Sequence, residues 1–366
     1  MYHADVKTQA VSRLNMSPIT TTQVVQSNEV QRLDAAISLL YPPTVHVQHS
    51  RTLLGHVHSL HLLTLSNEAR LILKGSPVSR TPLLRHERLL LETEARFLTL
   101  LGHTANPCIP QLYYYNPSSR HAGAAYLIRQ YIKGTPLVEM EHRVPAQQRN
   151  CIDHHLGFLA STIGQNAAPA FGSLQQVAAR AGRSSWREAF CALFESVLRD
   201  AEDVLVNLPY AQIRDELSRL GSVLDEVSLP RLVVVEFGRP SHVLLNERSK
   251  QVVGVVDFSS AFWGDVLMAE IFEGASPAVL EGAGLPLERT AGEELRLLMY
   301  VLCLTLPLWF LKSFVANLSP LLRYSCYRSV CRITKEYYRN SDETREFDAR
   351  RRLMGTIREL IAARLP

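Results

Sequence analysis

Hydrophobic and polar positions change rhythm along this chain, and the changes divide it into stretches. Residues 1 to about 28 are polar, rich in Ser, Thr and Gln, and expected to be poorly ordered. Asn28 stands before EVQRLDAAISLL, whose apolar residues recur at helical spacing, so it reads as the N-cap of a helix closed by Pro42-Pro43. From Val45 to Gly75 the period falls to two. VHVQHSRTLLG, HSLHLLTLS and ARLILKG predict three strands, with turns at Leu53-Leu54-Gly55 and Ser66-Asn67-Glu68. Helical spacing returns from about Pro82 to Leu101, carried by Leu83, Leu84, Leu90, Leu91, Phe97, Leu98 and Leu101. Two more strands follow, IPQLYYYN and AAYLIRQYI.

The segment Lys133-Gly134-Thr135-Pro136 has little periodicity and is expected to be a turn that hinges two unequal parts. Beyond it the pattern predicts helices near 147–164, 185–206, 210–226, 292–315, 319–339 and 343–364. Short apolar stretches interrupt them: Leu232 to Val235, then HVLLN and VVGVVDF, which read as strands paired with one another. The expected organisation is an extension with one helix over 1–44, a β-rich lobe over 45–132 and a helical lobe over 133–366.

Composition narrows the class. With 46% hydrophobic and 20% charged residues, the chain is an ordinary globular protein, which excludes disordered, collagen-like and disulfide-scaffold readings. At 366 residues it buries about three quarters of its unfolded surface and needs no staples. Lys+Arg 39 against Asp+Glu 35 leaves a formal charge of +4, spread along the chain, so no nucleic-acid partner is expected. The six cysteines make no CxxC pair and no metal-ligand spacing. The first residues lack the apolar core of a signal peptide. Free, mostly buried thiols in a reducing, cytoplasmic setting are therefore expected. Leu297 to Leu311 runs uncharged for 15 residues, short of the roughly 18–20 that span a bilayer, and it carries Pro307. It reads as a core helix, so no membrane partner is expected.

The candidate chemistry is dispersed. Lys74 stands on a strand in LILKGSP, and a helix carrying Glu87, Glu92 and Glu94 follows. Far downstream come VVVEFGRPSHVLLN and VVGVVDFSSAFWGD. Asp257, after the apolar run VVGVV, is a charge at a buried strand end and needs a cation or donors. The simpler readings are a solvated strand end for Lys74, a surface charge for Glu94, and a loop salt bridge joining Glu236 and His242 to Arg239. His56, His58 and His61 do not have metal-site spacing, and Tyr113-Tyr114-Tyr115 reads as strand packing.

Several stretches, in order, resemble the aminoglycoside phosphotransferase and choline-kinase-like family, especially its fungal branch acting on small metabolites. They are LLGHVHSLHLLTLSNEARLILK, RHERLLLETEARFL, AYLIRQYIKGTPL, APAFGS, LPYAQIRDELSRL and GVVDFSSAFWGD, within roughly residues 45–330. The resemblance implies an α+β, protein-kinase-like two-lobed fold, with a small β-rich N-lobe and a larger helical C-lobe. It also implies ATP and Mg2+ as cofactors, Lys74 as the phosphate-binding lysine and Glu94 as its helix partner. Asp257 matches the metal aspartate and Asp265 the structural aspartate of the family's GD pair.

The family's catalytic loop, H-G-D-x-x-x-x-N, is where this sequence departs. With His242 at the asparagine position and no gap, Phe237 and Val235 fall where the aspartate and histidine belong. With one residue inserted at Gly238, Glu236 takes the aspartate position. A glutamate can accept a proton, but its extra methylene displaces the carboxylate by about 1 Å, which can cost on the order of 100-fold. Histidine is a poor Mg2+ ligand, because Mg2+ prefers hard oxygens. The candidate catalytic residues are thus Glu236 and His242. Three functions stay open: an atypical ATP-dependent phosphotransferase on a small hydroxylated or amino metabolite of specialised metabolism; a kinase fold performing acid/base isomerisation or cyclisation with His242 and Glu236 or Asp257; and a non-catalytic nucleotide- or metabolite-binding pseudokinase.

Overall fold

The computed structural model describes residues 34, 36–53, 57–77, 83–102, 106–117, 125–300, 326–340 and 342–364. Residues 1–28, the glycine turn at Gly55, His56 and the part of the apolar run beyond Tyr300 lie outside them. The period-two region forms β1 (Val47–Leu53), β2 (His58–Leu65) and β3 (Arg70–Pro77), joined by β4 (Leu112–Asn116) and β5 (Tyr126–Gln130). The five strands make one antiparallel sheet in the order β1-β2-β3-β5-β4.

Alternation on β3 decides what this sheet presents. Leu71 and Leu73 pack with Leu63, Leu65, Ile128 and the helical residues Ala36 and Ile37 on one face. Lys74, one residue further, must point to the other face. There its cross-strand neighbour Leu127 packs on Leu91 and Ala95 of helix α1 (Leu90–Leu101). Sheet alternation and helix spacing together thus aim Lys74 at α1.

The expected helix from Pro82 starts later and differently. Arg85–Leu89 is a 3-10 turn and α1 begins only at Leu90. The tighter turn follows from tethers: the backbone N–H of Arg85 donates to Asp200 at 3.0 and 3.1 Å, and that of Leu84 donates to Glu87 at 3.1 Å. Thr135–Pro136, expected as part of a turn, forms a short strand β6 instead. It pairs with Leu244 and Leu245, which satisfies backbone groups that a loop would leave to water.

The helical region contains α2 (Ala146–Gly164), α3 (Trp186–Asp203), α4 (Tyr210–Leu220), α5 (Pro277–Ala283), α6 (Ala291–Tyr300), α7 (Cys326–Lys335) and α8 (Glu343–Ala362). Its core gathers around Trp186, Phe190, Phe194 and Tyr300, all almost fully buried. The short strands are not all paired with one another, as expected, but split into two sheets. β11 (Ala261–Gly264) pairs with β7 (Gly172–Ser173) and β8 (Arg231–Val234), and β9 (Val243–Leu245) pairs with β10 (Val252–Val255) and β6. β11 escaped the sequence reading because AFWG lacks the runs of Val and Leu that marked the equally short β8, β9 and β10.

Of the four cysteines whose side chains are described, only Cys108 is buried, while Cys151 is exposed and Cys191 and Cys331 are half-buried. The expectation of mostly buried thiols is not met among the described cysteines: α2 carries Cys151 on its exposed face, while Cys331 packs at the edge of the core. No helix among the described residues is long and apolar enough to cross a membrane.

Candidate functional site

Three residues far apart in sequence meet where the sheet region adjoins the helical region. The Lys74 ammonium lies 2.5 Å from Glu94 Oε2 and 3.2 Å from Asp257 Oδ1. Glu94 belongs to the apolar stripe of α1 that includes Leu91, Ala95 and Leu98, so its carboxylate is carried inward and is completely buried. Its second oxygen, Oε1, faces Arg129 Nε at 3.5 Å. Burial alone would lower the lysine's pKa, but Asp257 and Glu94 outweigh it and hold the ammonium above its usual range.

Asp257 follows β10 and sits at φ +66°, a left-handed conformation that a non-glycine residue adopts only under constraint. The constraint is visible on both sides. Ser259 donates to Asp257 Oδ1 through its hydroxyl at 2.6 Å and its N–H at 3.3 Å. Phe258 is locked in a parallel stack on Phe97 of α1, with ring centroids 4.3 Å apart. Burial would raise the Asp257 pKa; Lys74, His242 and the Ser259 hydroxyl hold it well below the usual carboxylate range instead. The carboxylate is charged, yet its side chain keeps 31% of its surface open to solvent.

The loop after β8 brings up the other two candidates. Glu236 has 28% of its side chain exposed and pairs with Arg239 Nη1 at 3.1 Å. Phe237 is 3% exposed and belongs to the main core, so Glu236 and not Phe237 is open to solvent. Gly238 follows at φ +86°, where a Cβ would lie 2.8 Å from Ile271. Burial would raise the Glu236 pKa, but Arg239 and Lys335 hold it below its ordinary value. His242 Nε2 stands 3.9 Å from Asp257 Oδ2, and among the described residues its buried Nδ1 has no hydrogen-bond partner. Burial keeps the His242 pKa below that of free imidazole despite Asp257 and Glu236.

The fold therefore brings Lys74, Glu94, Asp257 and His242 into one cluster, with Glu236 near enough for its charge to be felt by His242. The simple loop salt bridge holds for Glu236 with Arg239, whereas His242 faces Asp257 and not Arg239. Arg239 also reaches Glu270 at 3.0 Å. Asp265 stands apart and does structural work. It accepts from Arg296 Nε at 3.0 Å, from the Leu267 N–H at 3.0 Å and from the Tyr300 hydroxyl at 3.2 Å.

Glu87 is fully buried and held by Arg339 through both guanidinium nitrogens. Two residues beside Glu87 were missed by sequence reasoning. Lys335 and Arg339 come from α7 and the π-helical turn after it, where a helical charge pattern gives no hint of a partner 250 residues upstream. His58, set aside as structural, is nonetheless close by. Its Nδ1 donates to the Gly75 carbonyl at 2.9 Å, while burial first and Lys74 second lower its pKa.

The donor set can be tested against the implied cofactors. Lys74 is a point cation suited to phosphate. Asp257 is a charged, solvent-reached carboxylate, and a nucleotide-bound Mg2+ needs only one or two of these beside phosphate oxygens and water. One Mg2+ and a nucleotide fit. A second Mg2+ is poorly served, because the residue beside Asp257 is His242, a nitrogen donor. Among the described residues, no group of three or more His, Cys, Asp or Glu is arranged to hold a metal by itself.

Comparison with known proteins agrees with this geometry. The chain resembles solved aminoglycoside phosphotransferases. The apo form of a thermostable mutant of aminoglycoside phosphotransferase APH(4)-Ia is 15% identical over 90% of this chain and 98% of its own, with a TM-score of 0.55. The streptomycin-ATP-APH(2")-IIa ternary complex is 15% identical over 93% and 98%, with a TM-score of 0.55. A putative aminoglycoside phosphotransferase from Ralstonia eutropha is 10% identical over 92% and 99%, also at 0.55. These establish the fold, a protein-kinase-like α+β architecture. Curated proteins give no match. A family model described as the phosphotransferase enzyme family matches residues 62–268, which span the strand of Lys74, the helix of Glu94 and the loops of Glu236, His242 and Asp257. With more than half of its length matched, the chain belongs to the phosphotransferase enzyme family.

Proposed function

We propose that this chain is an ATP- and Mg2+-dependent phosphotransferase acting on a hydroxyl or amino group of a small metabolite, with Glu236 in the place of the usual catalytic aspartate. The observation that carries the reading is the joining of Lys74 to both Glu94 and Asp257, because a buried lysine held between two carboxylates has little structural use that an apolar residue would not serve better. When bound, Mg2+-ATP supplies the phosphoryl group and a divalent charge beside it. Lys74 contacts phosphate oxygens, and Glu94 fixes its direction. Asp257 provides the metal's protein ligand. Glu236 takes the proton from the acceptor group; Arg239 and Lys335 keep it ionised, at the cost of lower basicity. Phe258, stacked on Phe97, ties the Asp257 loop to the helix that carries Glu94, so both charges move together.

The test is turnover of ATP by the purified chain, read as release of ADP. Water is the default acceptor, and small hydroxylated and amino metabolites are then added. The expected result is Mg2+-dependent turnover that Glu236→Gln lowers by 100-fold or more while ATP affinity stays within a few-fold. Turnover unchanged in Glu236→Gln would remove Glu236 from the chemistry. Tight nucleotide binding with no turnover for any acceptor would favour the pseudokinase reading.

A further inference from the structure

The turn that opens α1 is held from two sides, and one of them lies outside the span 62–268 matched by the family model. Glu87, in the 3-10 turn Arg85–Leu89, is fully buried. Arg339 donates to both its oxygens, Nη1 to Oε1 at 3.1 Å and Nη2 to Oε2, and the Leu84 N–H donates to Oε2 at 3.1 Å. Lys335 Nζ adds a second cation 3.5 Å from Oε1. On the other side the buried Asp200 of α3 accepts from the Arg85 N–H at 3.0 and 3.1 Å and from its Nη1 at 3.2 Å.

What carries Arg339 is itself fixed. α7 buries Val330, Ile333 and Thr334 completely and packs on α3 and α8. Arg339 follows in the π-helical turn Glu336–Asn340, with 12% of its side chain exposed. What it holds leads straight to Lys74. The 3-10 turn ends at Leu89 and α1 begins at Leu90, so Glu87 and Glu94 belong to one continuous helical run. Glu94 stands seven residues after Glu87 and three before Phe97, which stacks on Phe258. It therefore sits between two anchors, Arg339 at one end and the Asp257 loop at the other. Its contact with Lys74, at 2.5 Å, has little slack: a displacement of about 1 Å takes it out of hydrogen-bond range.

We propose that Arg339 is a positioning residue of the nucleotide site: through Glu87 it sets the start of α1 and so keeps Glu94 on Lys74. The word nucleotide rests on the phosphotransferase reading, whereas the placing of Glu94 stands on the geometry alone. Stability is the weaker explanation for the Glu87–Arg339 pair. Desolvating two charges offsets most of their attraction, and an apolar pair of similar size serves a core at least as well. What an apolar pair lacks is direction. Two N–H···O bonds from one planar guanidinium fix both the distance and the angle of the turn they hold.

The experiment is calorimetric titration of the full chain with Mg2+-ATP, with urea unfolding of the same samples. The variants are Arg339→Gln, the apolar pair Glu87→Leu with Arg339→Met, Glu94→Gln, and each of the first two combined with Glu94→Gln. The expected result is that Arg339→Gln and the apolar pair both weaken ATP by about tenfold or more. The apolar pair strands no charge and keeps a urea midpoint close to that of the unaltered chain, which separates placement from folding. In the Glu94→Gln background neither change alters ATP affinity by more than about threefold, because the contact they place is already gone. Unaltered ATP affinity in the apolar pair would overturn the proposal, since the ion pair would then serve stability alone. So would losses that multiply with the loss in Glu94→Gln, since Arg339 would then act on something other than Glu94. In a chain that binds no ATP the unfolding cycle decides: Glu94→Gln should shift the urea midpoint by about half as much or less in the apolar-pair background as in the unaltered chain. An equal shift there overturns the positioning, and a smaller shift without ATP binding contradicts the phosphotransferase reading alone.

Discussion

Replacing Glu94 by Gln separates a functional ion pair from an accidental one. At 2.5 Å and an effective dielectric of 20, the Lys74–Glu94 attraction is about 7 kcal/mol, and it offsets the desolvation of two groups that almost no water reaches. Glu94→Gln leaves Lys74 with Asp257 at 3.2 Å and takes away the carboxylate facing Arg129 at 3.5 Å. The loss of stability should be about 3 kcal/mol, because one buried cation keeps a partner and the other does not. Lys74→Met alone should cost a similar amount, because Glu94 keeps only Arg129 at 3.5 Å and Asp257 loses its ammonium. In the double variant the two losses should fall short of their sum by on the order of 2 kcal/mol, since each single change already removes the same pair. Urea unfolding followed by circular dichroism measures all four corners of the cycle. Additivity within about 0.5 kcal/mol would mean that the pair contributes nothing as a pair and would refute the electrostatic account of the node.

Other consequences can be checked alongside. Asp265→Ala strands the buried Arg296 and Tyr300 and should cost about 3 kcal/mol, seen as a clear drop in Tm, although Arg296 keeps Glu226. Gly238→Ala puts a Cβ at a left-handed position 2.8 Å from Ile271 and should destabilise by about 1–3 kcal/mol in thermal unfolding; it should also lower turnover by shifting Glu236. Burial lifts the half-buried Glu359 to about 7 from an ordinary 4.5. The folded chain thus holds that proton more tightly, and stability falls as pH rises between these two values. Glu359→Gln should therefore stabilise by about 1–2 kcal/mol at pH 8 and by nothing at pH 4, measured by urea unfolding at both pH values.

Much of the sheet was legible because local rules and global packing agree there, whereas Lys74 and Glu94 were reached only through the family resemblance. In the structure, period-two alternation puts Lys74 on the face opposite Leu71 and Leu73, and helical spacing puts Glu94 in line with Leu91, Ala95 and Leu98. A charge inside an apolar stripe is a signal in itself, since its burial requires a partner. Asp257 was legible for the same reason. The register of the catalytic loop was not. Letters alone allow Phe237 or Glu236 at the same place, and only the burial of Phe237 and the turn at Gly238 separate them. Lys335 and Arg339 were invisible because their partners are brought to them by tertiary packing, and a basic residue near a helix end ordinarily faces water. β6 and β11 were missed because Thr135–Pro136 and Ala261–Gly264 lack the runs of Val and Leu that marked the equally short β8, β9 and β10.

The central claim is that Lys74, Glu94 and Asp257 form a working site for a metal-bound nucleotide. Calorimetric titration of ATP into the purified chain, first in Mg2+ and then in EDTA, with Asp257→Ala and Lys74→Met in parallel, tests it most directly. The account predicts binding in Mg2+ that weakens by about tenfold or more in EDTA and in either variant. Absence of ATP binding at millimolar concentration, or binding indifferent to Mg2+ and to Asp257→Ala, would contradict it.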